Sequence, residues 1–186
     1  MVKHLAIAVC MATYEPDPAL LRQQVDSIRE QLDCEWHCFI SDDHSGPEAL
    51  RAIEDTIADD ERFTLSRSHV NLGFYRNFER TIGMVPDEYE LFALCDQDDR
   101  WHPDKLSTLR DGIGEARLIF SDQRVVHEDG SLIEGTYWGT RQNNFENLAS
   151  LLVANTVTGA ASLFRRSVVE KALPFPELPS EQYHDH

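Results

Sequence analysis

The strongest constraint on this chain is an alternation. Short apolar runs of strand length, each closing on polar or acidic residues, are separated by segments whose apolar positions recur at helical spacing. "LAIAVC" (5–10) reads as a buried strand. The "DPALLRQQVDSIREQL" that follows reads as a helix, with Asp17 at the N-cap, Pro18 at the first helical position, and Leu21, Val25, Ile28 and Leu32 along one face. "WHCFIS" (36–41) and "FTLSR" (63–67) repeat the strand pattern, with a helix expected over 47–58 between them. "FYRNFERTIGM" aligns Phe74, Phe78 and Ile82 on one helical face, while "YELFALC" (89–95) and "ARLIFSD" (116–122) supply a fourth and a fifth strand. Strands alternating with helices predict an α/β fold. In such sheets ligands bind beyond the carboxyl ends of the strands, where Asp42, Asp96 and Asp122 fall.

At 186 residues and 41% hydrophobic content the chain can bury a core, and the length suits one domain, with no repeat, low-complexity tract or linker to divide it. Acidic residues number 33 against 17 basic, a formal charge of -16 that opposes unassisted approach to nucleic acid, anionic lipid or free phosphate. An anionic ligand therefore needs a cation or local basic residues. Cys10, Cys34, Cys38 and Cys95 lack C-x-x-C spacing, and Cys10 and Cys95 sit in apolar runs. This points to reduced core cysteines and no zinc site. The N-terminal apolar run spans only about six residues, too few for a signal segment or a membrane span, so the expected location is cytoplasmic.

"LFALCDQDDRWHPDKL" (91–106) runs from an apolar strand straight into Asp96, Asp98 and Asp99. One residue separates Asp96 from Asp98, so in an extended or turning segment both carboxylates can face the same way and share one hard cation, magnesium or manganese. A calcium loop needs further oxygen ligands at regular spacing, a central Gly and a distant bidentate Glu, which this stretch does not supply. The same residues also suit a solvated acidic turn in which Asp99 caps the helix after "WHP". Asp42 and Asp43 pose a similar choice. They can start the turn of "DDHSGPE", with Asp43 and Ser45 as candidate caps of the helix beyond it. Alternatively, one carboxylate can accept a hydrogen bond from the N3–H of uracil or thymine, a donor that cytosine lacks, and so select a uridine or thymidine nucleotide.

Six stretches in order, "VCMATYEPDPALLRQQVDSI", "FISDDHSGPEAL", "NLGFYRNFE", "LFALCDQDDRWHPDKL", "LIFSDQRVVHEDGSLI" and "VTGAASLFRRSVVEKALPFP", resemble the family 2 glycosyltransferases of the GT-A fold. The "DQDDxWxPxKL" form is particularly similar to bacterial enzymes of rhamnosyltransferase type that build surface polysaccharide. The resemblance implies a Rossmann-like nucleotide-binding domain with a mixed, mostly parallel central sheet flanked by helices. It spans 1–186 and is cut short on its acceptor side, where relatives continue with helices that sometimes meet the membrane.

The same resemblance implies roles for single residues. Thr13, Tyr14 and Glu15 match the loop that lines base and ribose, with Glu15 standing where Asn is common. Asp42 matches the residue on the pyrimidine ring, and Arg76 the basic residue near base and diphosphate. Asp96 would approach the ribose or the metal, and Asp98 would be the main protein ligand of a Mn2+ or Mg2+ bridging the two phosphates. Asp122, Gly159 and Arg165 match positions near the sugar pocket; they equally suit a strand-end cap, a close backbone approach and a surface charge. Asp185, in "EQYHDH", matches the catalytic base, whereas the residues alone read as a polar terminus.

The implied activity is inverting, metal-dependent transfer of a sugar from a UDP- or dTDP-sugar to a saccharide or lipid-linked acceptor in polysaccharide synthesis. Its cofactor would be a divalent cation. No nucleic-acid partner is expected, and residues beyond 186 could attach the chain peripherally to the inner face of the plasma membrane. Two rivals belong to other classes. A non-catalytic nucleotide-sugar-binding domain of a larger protein would bind donor without transfer. A nucleotidylyltransferase should carry a Gly-rich N-terminal loop with a basic residue, and "MATYEPDP" has neither.

Overall fold

An apolar run without a polar face can form a strand only if both its faces are covered, and β1 (Ile7–Thr13) is such a strand. In the computed structural model, which describes residues 6–127, 129–139, 149 and 155–177, β1 lies between two parallel neighbours, β2 (Trp36–Asp42) and β4 (Leu91–Cys95). β3 (Phe63–Arg67) adds to β2, again in parallel. Beyond β4, a short strand β8 (Ser162–Arg165) runs antiparallel both to β4 and to β5 (Leu118–Phe120), completing a six-stranded sheet of order β3-β2-β1-β4-β8-β5. A hairpin of β6 (Val125–Val126) and β7 (Leu132–Glu134) stands apart. The sheet is mixed and mostly parallel, as expected.

Among the described residues five helices flank it: α1 (Pro18–Arg29), α2 (Pro47–Ile57), α3 (Phe74–Gly83), α4 (Lys105–Gly112) and α5 (Arg166–Ala172). The first starts where its sequence directs. The Asp17 carboxylate accepts from the backbone N–H groups of Ala19 (2.8 Å) and Leu20 (3.1 Å), with Pro18 in the first turn, a cap worth about 1 kcal/mol. Period-two alternation along β1 divides the core. Ile7, Val9 and Met11 join Leu21, Val25 and Ile28 of α1, Ile53 of α2 and Leu106 and Leu109 of α4. Ala8 and Cys10 join Phe78 and Ile82 of α3 with Phe164 and Val169 on the other face.

Several boundaries differ from expectation. β1 continues to Thr13 instead of stopping at Cys10, because its pairing with β2 carries on to Thr13 opposite Asp42, while the β4 edge is paired only to Met11. β5 is confined to Leu118–Phe120, since its partner β8 offers only a four-residue edge. Leu32 lies past the end of α1 and Phe74 at the first position of α3, so both are exposed instead of packed. Cys10, Cys38 and Cys95 are buried free thiols, all raised by that burial. No helix among the described residues is long and apolar enough to cross a membrane.

The topology positions a crevice. From β1 the chain steps outward to β2 and β3, then crosses over to β4 on the opposite side of β1. In open α/β sheets the ligand crevice is the gap outside the carboxyl ends of the strands, here those of β1 and β4, which are parallel neighbours.

Candidate functional site

Tyr14 and Asp96–Asp99 leave β1 and β4 side by side at this gap, the strands being in register at Met11 opposite Cys95. Gln97 ties the two segments together. Its Oε1 accepts from the Tyr14 N–H at 2.8 Å and its Nε2 donates to the Tyr14 carbonyl at 3.3 Å, while the Tyr14 side chain stays exposed. Glu15 comes next with φ of 43°, a left-handed conformation that costs on the order of 1 kcal/mol and that Asn tolerates better than most residues. Two contacts hold it there. The Glu15 N–H donates to Ser45 Oγ at 2.9 Å, and the Glu15 carboxylate accepts from the Gly46 N–H at 2.6 Å. Gly46 is the N-cap of α2 and has no side-chain cap of its own, so Glu15 brings a carboxylate to that helix N-terminus from a different loop.

Asp42 is fully buried at the end of β2. Its Oδ2 accepts from the Ser45 N–H at 3.0 Å, its Oδ1 accepts from Ser45 Oγ at 2.5 Å and from Thr13 Oγ1 at 3.4 Å, and Arg67 Nε lies 3.7 Å away. Asp42 and Thr13 are thus brought together, and Oδ2, with one hydrogen bond, keeps acceptor capacity although the side chain is fully covered. Asp43 does not cap α2. Its oxygens accept from the N–H groups of Leu72 (2.7 Å) and Gly73 (2.9 Å), which anchors the loop before α3 where Gly73 takes a φ of 78°.

In the acidic turn Asp98 is exposed, while Asp96 and Asp99 are partly buried. Burial pushes the Asp99 carboxyl up; Lys105 opposes the rise and Asp98 adds to it. Asp99 is not the helix cap, because α4 starts only at Lys105, after Asp104. The Lys105 ammonium sits 3.6 Å from the centroid of the Trp101 ring and donates to the Ala160 carbonyl at 2.5 Å. Its burial pulls it down to about 8, with Cys95, Asp99 and Asp96 pulling the other way.

Among the described residues no group of three or more His, Cys, Asp or Glu side chains is arranged to cage a metal. Asp96 and Asp98 nevertheless offer the hard oxygen donors that magnesium or manganese takes when one or two carboxylates, waters and substrate phosphates share its coordination. The donor set fits a cation completed by a diphosphate and does not fit a closed structural site.

The remaining candidates are more dispersed. Arg76 pairs with Glu79 at 2.7 Å and donates to the Phe175 carbonyl at 2.8 Å, fastening that segment to α3. Asp122, exposed after β5, accepts from the N–H groups of Gln123 (2.8 Å) and Tyr137 (3.2 Å) and from the Thr136 hydroxyl, which lowers its pKa. Gly159 is buried at the start of the turn Gly159–Ala161 and borders an apolar cavity of about 150 Å3 lined also by Ile82, Leu94 and Phe164. Arg165 donates to the carbonyls of Ala116 (3.0 Å) and Gly114 (2.6 Å). Asp185 lies outside the described residues. Gln97 and Lys105 are site residues that the sequence reading did not single out, and Ser45, a candidate helix cap by sequence, instead bonds Asp42 and Glu15. Gln97 and Lys105 stand inside the "DQDDRWHPDKL" run, but their partners are 83 and 55 positions away.

Residues 8–173 match the family model described as Glycosyl transferase family 2. The chain is 30% identical over 129 residues to the uncharacterized protein y4gI of Sinorhizobium fredii, an alignment that covers 67% of this chain and 14% of that protein. It is 34% identical over 111 residues to the dTDP-rhamnosyl transferase RfbG of Shigella flexneri, covering 54% and 36%. Among solved structures, S. aureus TarS 1-349 in complex with UDP-GlcNAc superposes with a TM-score of 0.69 at 16% identity, over 89% of this chain and 46% of that one. The mannosyltransferase PcManGT from Pyrobaculum calidifontis, in complex with GDP-Man and Mn2+, gives 0.65 at 14% identity, over 92% and 47%. The shared fold is GT-A. The chain thus spans less than half the length of each of these proteins. With 8–173 matched and the fold shared, the chain belongs to glycosyl transferase family 2.

Proposed function

We propose that this chain binds a UDP- or dTDP-linked sugar in the crevice beyond β1 and β4, and forms the donor side of an inverting, metal-dependent glycosyltransferase. The acceptor is a saccharide or a lipid-linked saccharide of polysaccharide synthesis, met at the inner face of the plasma membrane. The observation that carries this reading is the bonding of Gln97 to Tyr14, which joins the loop after β1 to the acidic turn after β4 in a chain of this family. The dTDP-rhamnosyl transferase among its relatives and the UDP-GlcNAc bound by a structural neighbour support a pyrimidine nucleotide donor. The Mn2+ of the mannosyltransferase complex supports a divalent ion.

In this reading Thr13, Tyr14 and Glu15 line base and ribose, Asp42 reads the pyrimidine from beneath them, and Arg76 steadies the nucleotide from α3. Asp122 and Gly159 border the sugar. Asp96 and Asp98 hold Mn2+ or Mg2+, which when bound neutralises the diphosphate leaving group. Asp185 takes the proton of the acceptor hydroxyl as that oxygen bonds to the anomeric carbon. The bond from that carbon to the diphosphate breaks on the opposite side, the diphosphate leaves with the electron pair, and the centre inverts. A positioned base of this kind contributes about 10² to 10⁴ in rate.

Thermal unfolding with UDP, dTDP, GDP and CDP, each with and without Mn2+, tests the reading. A ligand that binds only the folded state stabilises it by about 2.7 kcal/mol at a hundredfold excess over Kd. UDP or dTDP should raise the midpoint, and only with Mn2+. An equal rise with GDP and CDP, or no rise with any nucleotide and metal, overturns it.

A further inference from the structure

We propose that Arg67 determines base specificity together with Asp42, donating to the O4 carbonyl of uracil or thymine while the Asp42 carboxylate accepts from N3–H. The inference rests on the pyrimidine-donor reading above. Asp42 ends β2 and pairs in register with Arg67, the last residue of the parallel strand β3. The Arg67 guanidinium turns back over the end of β2. Its Nη2 donates to the Ser45 carbonyl at 2.7 Å, and its Nε lies 3.7 Å from Asp42 Oδ2. The backbone beneath it is fixed from α3, since Arg80 donates to the carbonyls of Ser66 (3.0 Å) and Arg67 (3.3 Å).

Of the groups around the Asp42 carboxylate, Thr13 and Ser45 are buried, whereas the Arg67 side chain is 40% exposed. Arg67 is therefore the partner that can move aside for a base and still stand next to it. Sheet order sets the direction in which the base points. The strands run β3-β2-β1-β4, and the reading above puts the diphosphate at the turn after β4 and the ribose at the loop after β1. A base over β2 then turns its edge away from the ribose toward β3. In a pyrimidine nucleotide the ribose is on N1 and C4 lies opposite it in the ring, so O4 falls on the Arg67 side with N3–H next to it. A carboxylate beside a guanidinium offers an acceptor and a donor, the complement of N3–H and O4. Cytosine has an acceptor at N3 and an amino donor at C4, so it would set like against like at both side chains.

The test is calorimetric titration of UDP and of CDP, each with Mn2+, into the full 186-residue chain. Arg67→Met keeps an apolar stem and removes the donors. It should weaken UDP binding about tenfold and leave CDP within about a factor of two, so that the preference for UDP shrinks. Loss of a merely structural contact, or of a positive charge near the diphosphate, would weaken both nucleotides equally. An unchanged ratio of the two dissociation constants therefore overturns the proposal and leaves the donor reading standing. If the unmodified chain binds neither nucleotide, or both equally, the two readings fall together. Should Arg67→Met fail to fold, 4-thio-UDP decides with the unmodified chain, because sulfur at C4 is a weak acceptor. It should bind several-fold more weakly than UDP, and equal affinity overturns the proposal.

Discussion

Gln97 bonds the peptide groups of Tyr14 on both sides, accepting from its N–H at 2.8 Å and donating to its carbonyl at 3.3 Å. The two residues belong to different strand ends, 83 positions apart, so the middle residue of the acidic D-x-D sets where the first loop lies. The bonds are exposed and each contributes little to folding, about 1 kcal/mol or less. Their effect on the crevice should be larger. Gln97→Ala is expected to leave the unfolding free energy within about 1 kcal/mol of the unmodified chain and to weaken UDP binding with Mn2+ roughly tenfold, a step of about 1.4 kcal/mol. Calorimetric titration beside urea unfolding separates the two effects, and an unchanged UDP affinity would remove Gln97 from the site.

Ser45 should behave in the opposite way. It is buried, and its hydroxyl both donates to Asp42 Oδ1 and accepts from the Glu15 N–H. Ser45→Ala leaves the buried Asp42 Oδ1 with only the longer 3.4 Å bond from Thr13 Oγ1 and removes the acceptor of the N–H of Glu15, a residue held at positive φ, a cost of about 1 to 3 kcal/mol. The urea midpoint is expected to drop with an unchanged slope. A loss below about 0.5 kcal/mol would mean that water replaces the hydroxyl without penalty.

These two residues also mark what the sequence could and could not convey. The first βα unit was legible because its signals are local: Asp17 and Pro18 adjoin, and Leu21, Val25 and Ile28 follow at helical spacing. The gathering of Asp42 and Asp96 at one edge was legible because parallel strands place their carboxyl ends together. Long-range pairing left no such mark. Nothing in "SLFR" announces that Ser162–Arg165 enters between β4 and β5 in the antiparallel sense, since a four-residue strand carries too little pattern to declare its partners. Glu15 illustrates a different gap. Its match to an Asn position is explained by its positive φ, whereas its reach to Gly46 appears only once α2 is folded beside it.

Asp60 predicts a pH dependence of stability away from the site. Its carboxylate accepts from Arg62 at 2.9 Å and from Arg29 at 3.2 Å, linking α1 to the turn before β3, and these bonds hold it at about 2 against an ordinary 3.8. The folded-state value is depressed, so its contribution is fully present above the unfolded-state value and is lost as pH falls from near 3.8 toward 2. Partial solvation limits that contribution to on the order of 1 kcal/mol. Asp60→Asn should be less stable than the unmodified chain at pH 7 and should converge with it at about pH 2. Parallel urea curves at both pH values, with a constant gap between the two proteins, would rule this out.

Donor binding and transfer should separate between the two acidic ends of the proposed mechanism. Asp98, exposed in the turn after β4, would act on the donor through the metal, so Asp98→Ala is expected to weaken Mn2+-dependent UDP binding at least tenfold, about 1.4 kcal/mol. In that proposal Asp185 acts on the acceptor hydroxyl alone. Asp185→Asn removes the proton acceptor without touching the diphosphate, so UDP affinity should stay within about a factor of two while turnover with an identified acceptor falls by about 10² to 10⁴. A drop in affinity and turnover together would instead place Asp185 on the donor. Transfer at the unmodified rate in Asp185→Asn would send the "YHDH" run back to a polar stretch of chain and put the base elsewhere.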